Sequence, residues 1–195
     1  MTKTRIKYVI YSTVLVGFGF AGLATQLMQA KSAASRPQPS DAPEMEKLIR
    51  LYLGTWAYTE TYSKSPAFPN GGENAGIYTS ELGPGGMSIV NRFHSKGPVG
   101  DFEGLLVITW DAKEKAYKAY VFGNDFSGAL VETGQFEGDT LIFRANVSMG
   151  EKSIPIRNET RVDTKGVLTS DSFFGTAAPG AKETPFVRVV AARKP

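Results

Sequence analysis

The 195-residue chain has no cysteine. That excludes a lipoprotein anchor, a disulfide framework and a thiolate metal site together, and leaves stability to the core and the hydrogen-bond ladder. It has one histidine, His94. With a single imidazole, a metal would need scattered carboxylates as ligands, and no metal or other cofactor is expected. A G-x-S-x-G elbow and a G-x-x-x-x-G-K phosphate loop are also missing, so neither triad hydrolysis nor a P-loop reaction has its local signature. No catalytic residue is assigned.

A surplus of charge is missing too, once the charges are located. The formal net charge is +3 and the pI about 9.0, but Lys3, Arg5, Lys7 and Lys31 stand in the first 34 residues with no acid among them. Setting those four aside leaves 18 basic against 19 acidic side chains. The remainder is near neutral and holds no Lys/Arg cluster or RNA-binding aromatic motif, so nucleic acid is not an expected partner.

What is present begins with a leader. A basic start, an apolar run of about 20 residues from Tyr8 to Leu27, and the small residues Ser32-Ala33-Ala34 form the three-part layout of a secretory signal. The run is near the length of a bilayer span, but Ser12, Thr13, Gly17, Gly19 and Gly22 dilute it, so cleavage after Ala34 is favoured over an uncleaved membrane anchor. The mature protein is then periplasmic or secreted, with no membrane association after cleavage. Residues 35–43 read as a Ser/Ala/Pro linker, and residues 44–195 as one domain.

The domain opens with a helix. Asp41-Ala42-Pro43-Glu44 has the form of a capping box, and Met45, Leu48, Ile49 and Tyr52 recur at helical spacing up to Gly54. From Thr55 the apolar period changes to 2, with turn residues about every ten positions, and the pattern predicts ten strands over 55–63, 75–82, 87–95, 102–110, 117–123, 128–137, 140–149, 153–162, 166–175 and 185–193. Gly138-Asp139 marks a two-residue hairpin; Asp163-Thr164-Lys165-Gly166 marks a type I turn followed by a left-handed glycine. The expected fold is all-β: an antiparallel up-and-down closed β-barrel of about ten strands with one short N-terminal helix. Closure removes the exposed edges that an open sandwich, the alternative, would keep.

Several strands mix polar groups into an otherwise apolar face. Trp56, Tyr58, Glu60 and Tyr62 share one face, as do Met87, Ile89, Asn91 and Phe93, then Ile154, Ile156, Asn158 and Thr160, then Val167, Thr169, Asp171 and Phe173. If these faces turn inward, Tyr58, Glu60, Asn91, Asn158, Thr160 and Asp171 are the candidate ligand-binding residues of a small-molecule pocket. His94 and Arg92 alternate to the other face and are expected in solvent. The expected partner is a small, largely apolar ligand; an enzyme using the same polar lumen groups and a packed structural or interaction barrel are the alternatives.

Gly54-Thr55-Trp56 after the helix resembles the G-x-W opening of the calycin superfamily, which includes lipocalins. Leu82-Gly83-Pro84-Gly85-Gly86, Phe102-Glu103-Gly104, Trp110-Asp111, Tyr117 and Gly134-Gln135-Phe136-Glu137-Gly138-Asp139-Thr140-Leu141 follow in an order similar to the bacterial DUF1579 family of uncharacterised domains. The resemblance covers residues 46–193 and departs from the family at Leu106, Trp110 and Ala191. It implies a barrel whose opening tryptophan, Trp56, packs at the closed end under a basic residue of the final strand, Arg193, or Arg188 if the register differs by a turn. Nitrobindin-like barrels place a haem-binding histidine near their C-terminal strands; this chain has none after His94, so haem does not transfer.

Overall fold

The structure, a computed structural model, describes residues 43–65, 68–149, 152–175 and 183–195. The leader, its cleavage point, Asp41 and all but the last residue of the linker lie outside the described residues.

Helix α1 spans Pro43–Tyr52, with proline at its first turn, Glu44 and Glu46 near its N-terminus and Arg50 near its C-terminus, all favourable to the helix dipole. Its buried face is Met45, Leu48, Leu51 and Tyr52, with Ile49 packed at the edge. Gly54 follows at φ +114°, a backbone conformation that side chains disfavour, and lets the chain turn straight into a strand.

Ten strands complete the fold: β1 Gly54–Tyr62, β2 Gly72–Leu82, β3 Ser88–Gly97, β4 Gly100–Asp111, β5 Ala116–Gly123, β6 Leu130–Glu137, β7 Thr140–Met149, β8 Lys152–Val162, β9 Val167–Phe174 and β10 Thr184–Arg193. Every consecutive pair is antiparallel, and β1 pairs with β10 from Trp56↔Arg193 to Tyr62↔Val187, so the meander closes on itself. The expected fold class is the observed one. β2 begins at Gly72 rather than 75, and β6 at Leu130 rather than 128.

The turns follow local chemistry. Gly138 has φ +63° while Asp139 does not enter the left-handed region, the pattern of a type II′ hairpin. At the β8–β9 turn the Asp163 carboxylate accepts the amides of Lys165 and Val167 at 2.8 and 2.9 Å, and Gly166 takes φ +79°.

Helix α1 covers one end of the barrel. Met45 and Leu48 have no exposed surface and join Trp56, Ile89, Ile108, Leu141 and Leu168 in one core cluster. The Tyr117 hydroxyl donates to the Glu44 carbonyl at 2.9 Å, and the Trp56 indole N–H donates to the Tyr52 carbonyl at 2.9 Å, so both ends of the helix are pinned to strands. Toward the middle, some large rings lie flat on the wall over glycine. A Cβ on Gly76 would meet the Tyr58 ring at 2.6 Å, and one on Gly134 the Phe143 ring at 2.5 Å.

Candidate functional site

Sequence expectation and structure agree on the inner face of β1. Trp56, Tyr58, Glu60 and Tyr62 are all buried and all point into the barrel. Glu60 accepts a short hydrogen bond from the Tyr62 hydroxyl. Burial first, then the neighbouring Glu60 carboxylate, push the Tyr58 hydroxyl well above its ordinary pKa; burial and the Glu60 bond do the same for Tyr62. Both phenols therefore keep their protons at neutral pH. Asn91 is inward as expected, 5% exposed, between Ser80 of β2 and Leu106 of β4.

On the opposite wall Asn158 and Thr160 also face inward. Thr160 exchanges a hydrogen bond with Ser170 of β9 at 2.9 Å, and the Asn158 amide donates to Glu132 at 2.6 Å. Glu132 was not anticipated. It is 5% exposed on β6, and burial raises its carboxyl pKa to about 7 against the opposing effect of the Asn158 bond. The signal was available: Leu130, Glu132, Gly134 and Phe136 alternate on one face, with a glutamate where an apolar residue is normal. Tyr52 reaches the same region from α1. Its hydroxyl is pushed up to about 12, mainly by burial, against the opposing effect of a Thr160 bond and with a smaller rise from the Glu132 charge.

Asp171 requires a correction. Leu168, Ser170, Ser172 and Phe174 form the inner face of β9, which puts Asp171 outside, opposite Arg188. There it binds the Arg188 guanidinium at 2.9 Å and lies 3.5 Å from Arg161. Both faces of β9 mix apolar and polar residues, so alternation alone could not choose between them. Asp171 belongs to a surface ion-pair cluster and not to the lumen.

Four buried side-chain atoms have no hydrogen-bond partner among the described residues: Tyr78 Oη, Ser80 Oγ, Asn91 Oδ1 and Ser95 Oγ. Ser95 lies close enough to the Tyr58 hydroxyl to lower its pKa, yet makes no bond of normal geometry. Buried polar groups left so are costly, about 1–3 kcal/mol each, and each calls for a partner such as a water or a bound molecule. Among the described residues no group of three or more His, Asp or Glu side chains is arranged to hold a metal ion.

The barrel wall has a local split. β6 pairs with β7 only from Thr133↔Arg144 to Glu137↔Thr140, whereas β7 pairs with β8 from Leu141 out to Met149. Leu130, Val131 and Glu132 thus have no ladder partner on β7. A cavity of about 460 Å³ occupies this end, lined by Phe126, Ser127, Ala129 and Leu130 on one side, Asn146, Val147 and Ser148 on β7, and Ile156, Phe174 and Phe186 beyond it. Two residues further along the same inner faces from Leu130 and Ile156 stand Glu132 and Asn158. The buried Glu132–Asn158 pair thus stands one inward position beyond two of the residues that line the cavity.

His94 is where alternation placed it, on the outside, with its side chain 58% exposed and bonded to Asp101 at 2.8 Å. Trp56 and Arg193 meet at the helix-covered end.

No family model matches the chain, and no curated protein matches it. The resemblance to DUF1579 domains thus rests on the residues quoted for it. Among solved structures, the crystal structure of Rv2717c from M. tuberculosis is similar at a TM-score of 0.57 with 15% identity, over 79% of this chain and 99% of that one. At that identity the likeness concerns the fold.

Proposed function

We propose that this protein is an exported barrel that binds a small, largely apolar molecule in its lumen. The observation that carries the reading is the chamber of about 460 Å³ lined by Phe126, Leu130, Val147, Ile156, Phe174 and Phe186. Its size falls in the range of about 300–1,000 Å³ typical of ligand pockets, and aromatic and aliphatic walls predominate, with Ser127, Asn146 and Ser148 as its polar groups. The unpartnered Asn91 and Ser95 atoms support it from the polar side. The basic start, apolar run and Ser32-Ala33-Ala34 support export, and the ordered motifs from Gly54-Thr55-Trp56 to Leu141 support kinship with DUF1579 domains.

An enzymatic use of the lumen has less behind it. Glu60 and Tyr62 are a hydrogen-bonded titratable pair, but burial and the Glu60 bond keep the phenol protonated at neutral pH, so it is no base there and a poor acid. Native mass spectrometry of the mature protein purified from its own host tests the binding reading. A co-purified small molecule, lost on unfolding and absent from a Val147→Trp variant that fills the chamber, is the expected result. Bare protein, with no uptake of a solvatochromic apolar dye, would overturn it.

A further inference from the structure

The polar groups of the lumen are unbalanced in sign. Glu60 on β1 and Glu132 on β6 are 8% and 5% exposed, and in a ring of ten strands β1 and β6 stand opposite one another. Arg193 is the one cation on the inner face among the described side chains, and it is engaged at the helix-covered end, over Trp56 and toward the Arg50 carbonyl. Glu60 has the Tyr62 hydroxyl, but Glu132 has a single hydrogen bond, from the neutral Asn158 amide. An isolated carboxylate in an apolar interior must either take up a proton or find a cation. Independently, the unpartnered Asn91 Oδ1 is an acceptor only, buried and aimed into the same lumen. Among the described side chains, these inward acceptors meet no free cation.

Resting on the binding reading above, we propose that the ligand is a small apolar amine, its ammonium group held by Glu132 beside Asn158 and its hydrocarbon body in the chamber between β6 and β7. A fatty acid or other anion would meet two carboxyl groups with no free cation among the described side chains to offset them. An apolar alcohol would fit the chamber but leave the carboxylate unpaired. An ammonium head supplies three donors, pairs with Glu132 at short range in a low-dielectric site, and keeps the Asn158 bond. The groups bearing on the Glu132 charge are Tyr52 from α1 and Asn158 from β8, both uncharged at neutral pH.

The test uses three ligands of one body, octylamine, octanol and octanoate, with calorimetry on the mature protein and on Glu132→Gln. At pH 8 octylamine should bind at least tenfold tighter than octanol, and octanoate weakest. Its affinity should rise from pH 5.5 to 8 as Glu132 loses its proton, while that of octanol stays level. Glu132→Gln should lose about tenfold or more for the amine and nothing for the alcohol. Equal binding of amine and alcohol, or an unchanged amine affinity in the variant, would overturn the amine assignment and leave the lumen reading standing. No binding of any of the three would overturn both.

Discussion

The guanidinium carbon of Arg193 stands 4.7 Å from the centroid of the Trp56 ring, and the two residues are direct partners across the β1–β10 seam. The same side chain reaches the Arg50 carbonyl of α1 at 3.5 Å, while the indole N–H holds the Tyr52 carbonyl. Seam and helix are thus joined at one point. Arg188 sits on the outer face at Asp171, far from this role.

Trp56→Ala is expected to destabilise the fold by roughly 3–5 kcal/mol, the range for emptying a buried aromatic site, because Trp56 is 1% exposed and also stacks on Tyr78. A double-mutant cycle with Arg193→Ala should reveal a coupling of about 0.5–1 kcal/mol, modest because the arginine is exposed. Arg188→Ala paired with Trp56→Ala should be additive. Chemical denaturation of the four variants measures all of this, and a parent-like Trp56→Ala would contradict it.

Glu132 predicts how stability varies with pH. Its folded pKa of about 7 lies above the ordinary 4.5, so between those values the folded state holds more protons than the unfolded one. The stabilisation is therefore full below about pH 4.5 and is lost as pH rises through 7. The loss is on the order of 3 kcal/mol from this group. Thermal melts from pH 5 to 8 should show the decline in the parent and a flatter profile in Glu132→Gln. A variant with the parent's slope would locate the titration elsewhere.

Filling the chamber should separate binding from folding. Val147→Trp projects an indole into the space among Leu130, Ile156 and Phe174, where β6 and β7 are not laddered and the wall can yield. Uptake of an apolar dye should fall at least tenfold, with a stability change within the roughly 1–3 kcal/mol typical of overpacking. Dye binding equal to the parent's would place the site elsewhere.

His94→Ala should change stability by no more than about 0.5 kcal/mol, since an exposed pair with Asp101 is worth little. Ligand binding should be untouched. A tenfold change in dye or octylamine affinity would show that the outer face of β3 communicates with the lumen.

The parts of this protein readable from its residues are those encoded locally. Period-2 alternation, Gly138-Asp139 and Asp163–Gly166 fix strand number and connection, because side-chain parity and turn chemistry need only neighbours in the chain. The helix, its stop at Gly54, the inward face of β1 and the outward His94 follow from the same rules. What tertiary structure alone decided is register and proximity. Nothing local told Asp171 from Ser170 and Ser172 on β9; pairing with β8 and β10, including the irregularity between Pro185 and Val187, turned Asp171 out to Arg188. Glu132 could be flagged by parity, but its partner lies 26 positions away on β8 and its burial depends on closure of the whole ring. The chamber depends on β6 lying unladdered to β7 before Thr133, an arrangement that no short stretch of chain encodes, because it is set by where two ladders begin and end in space.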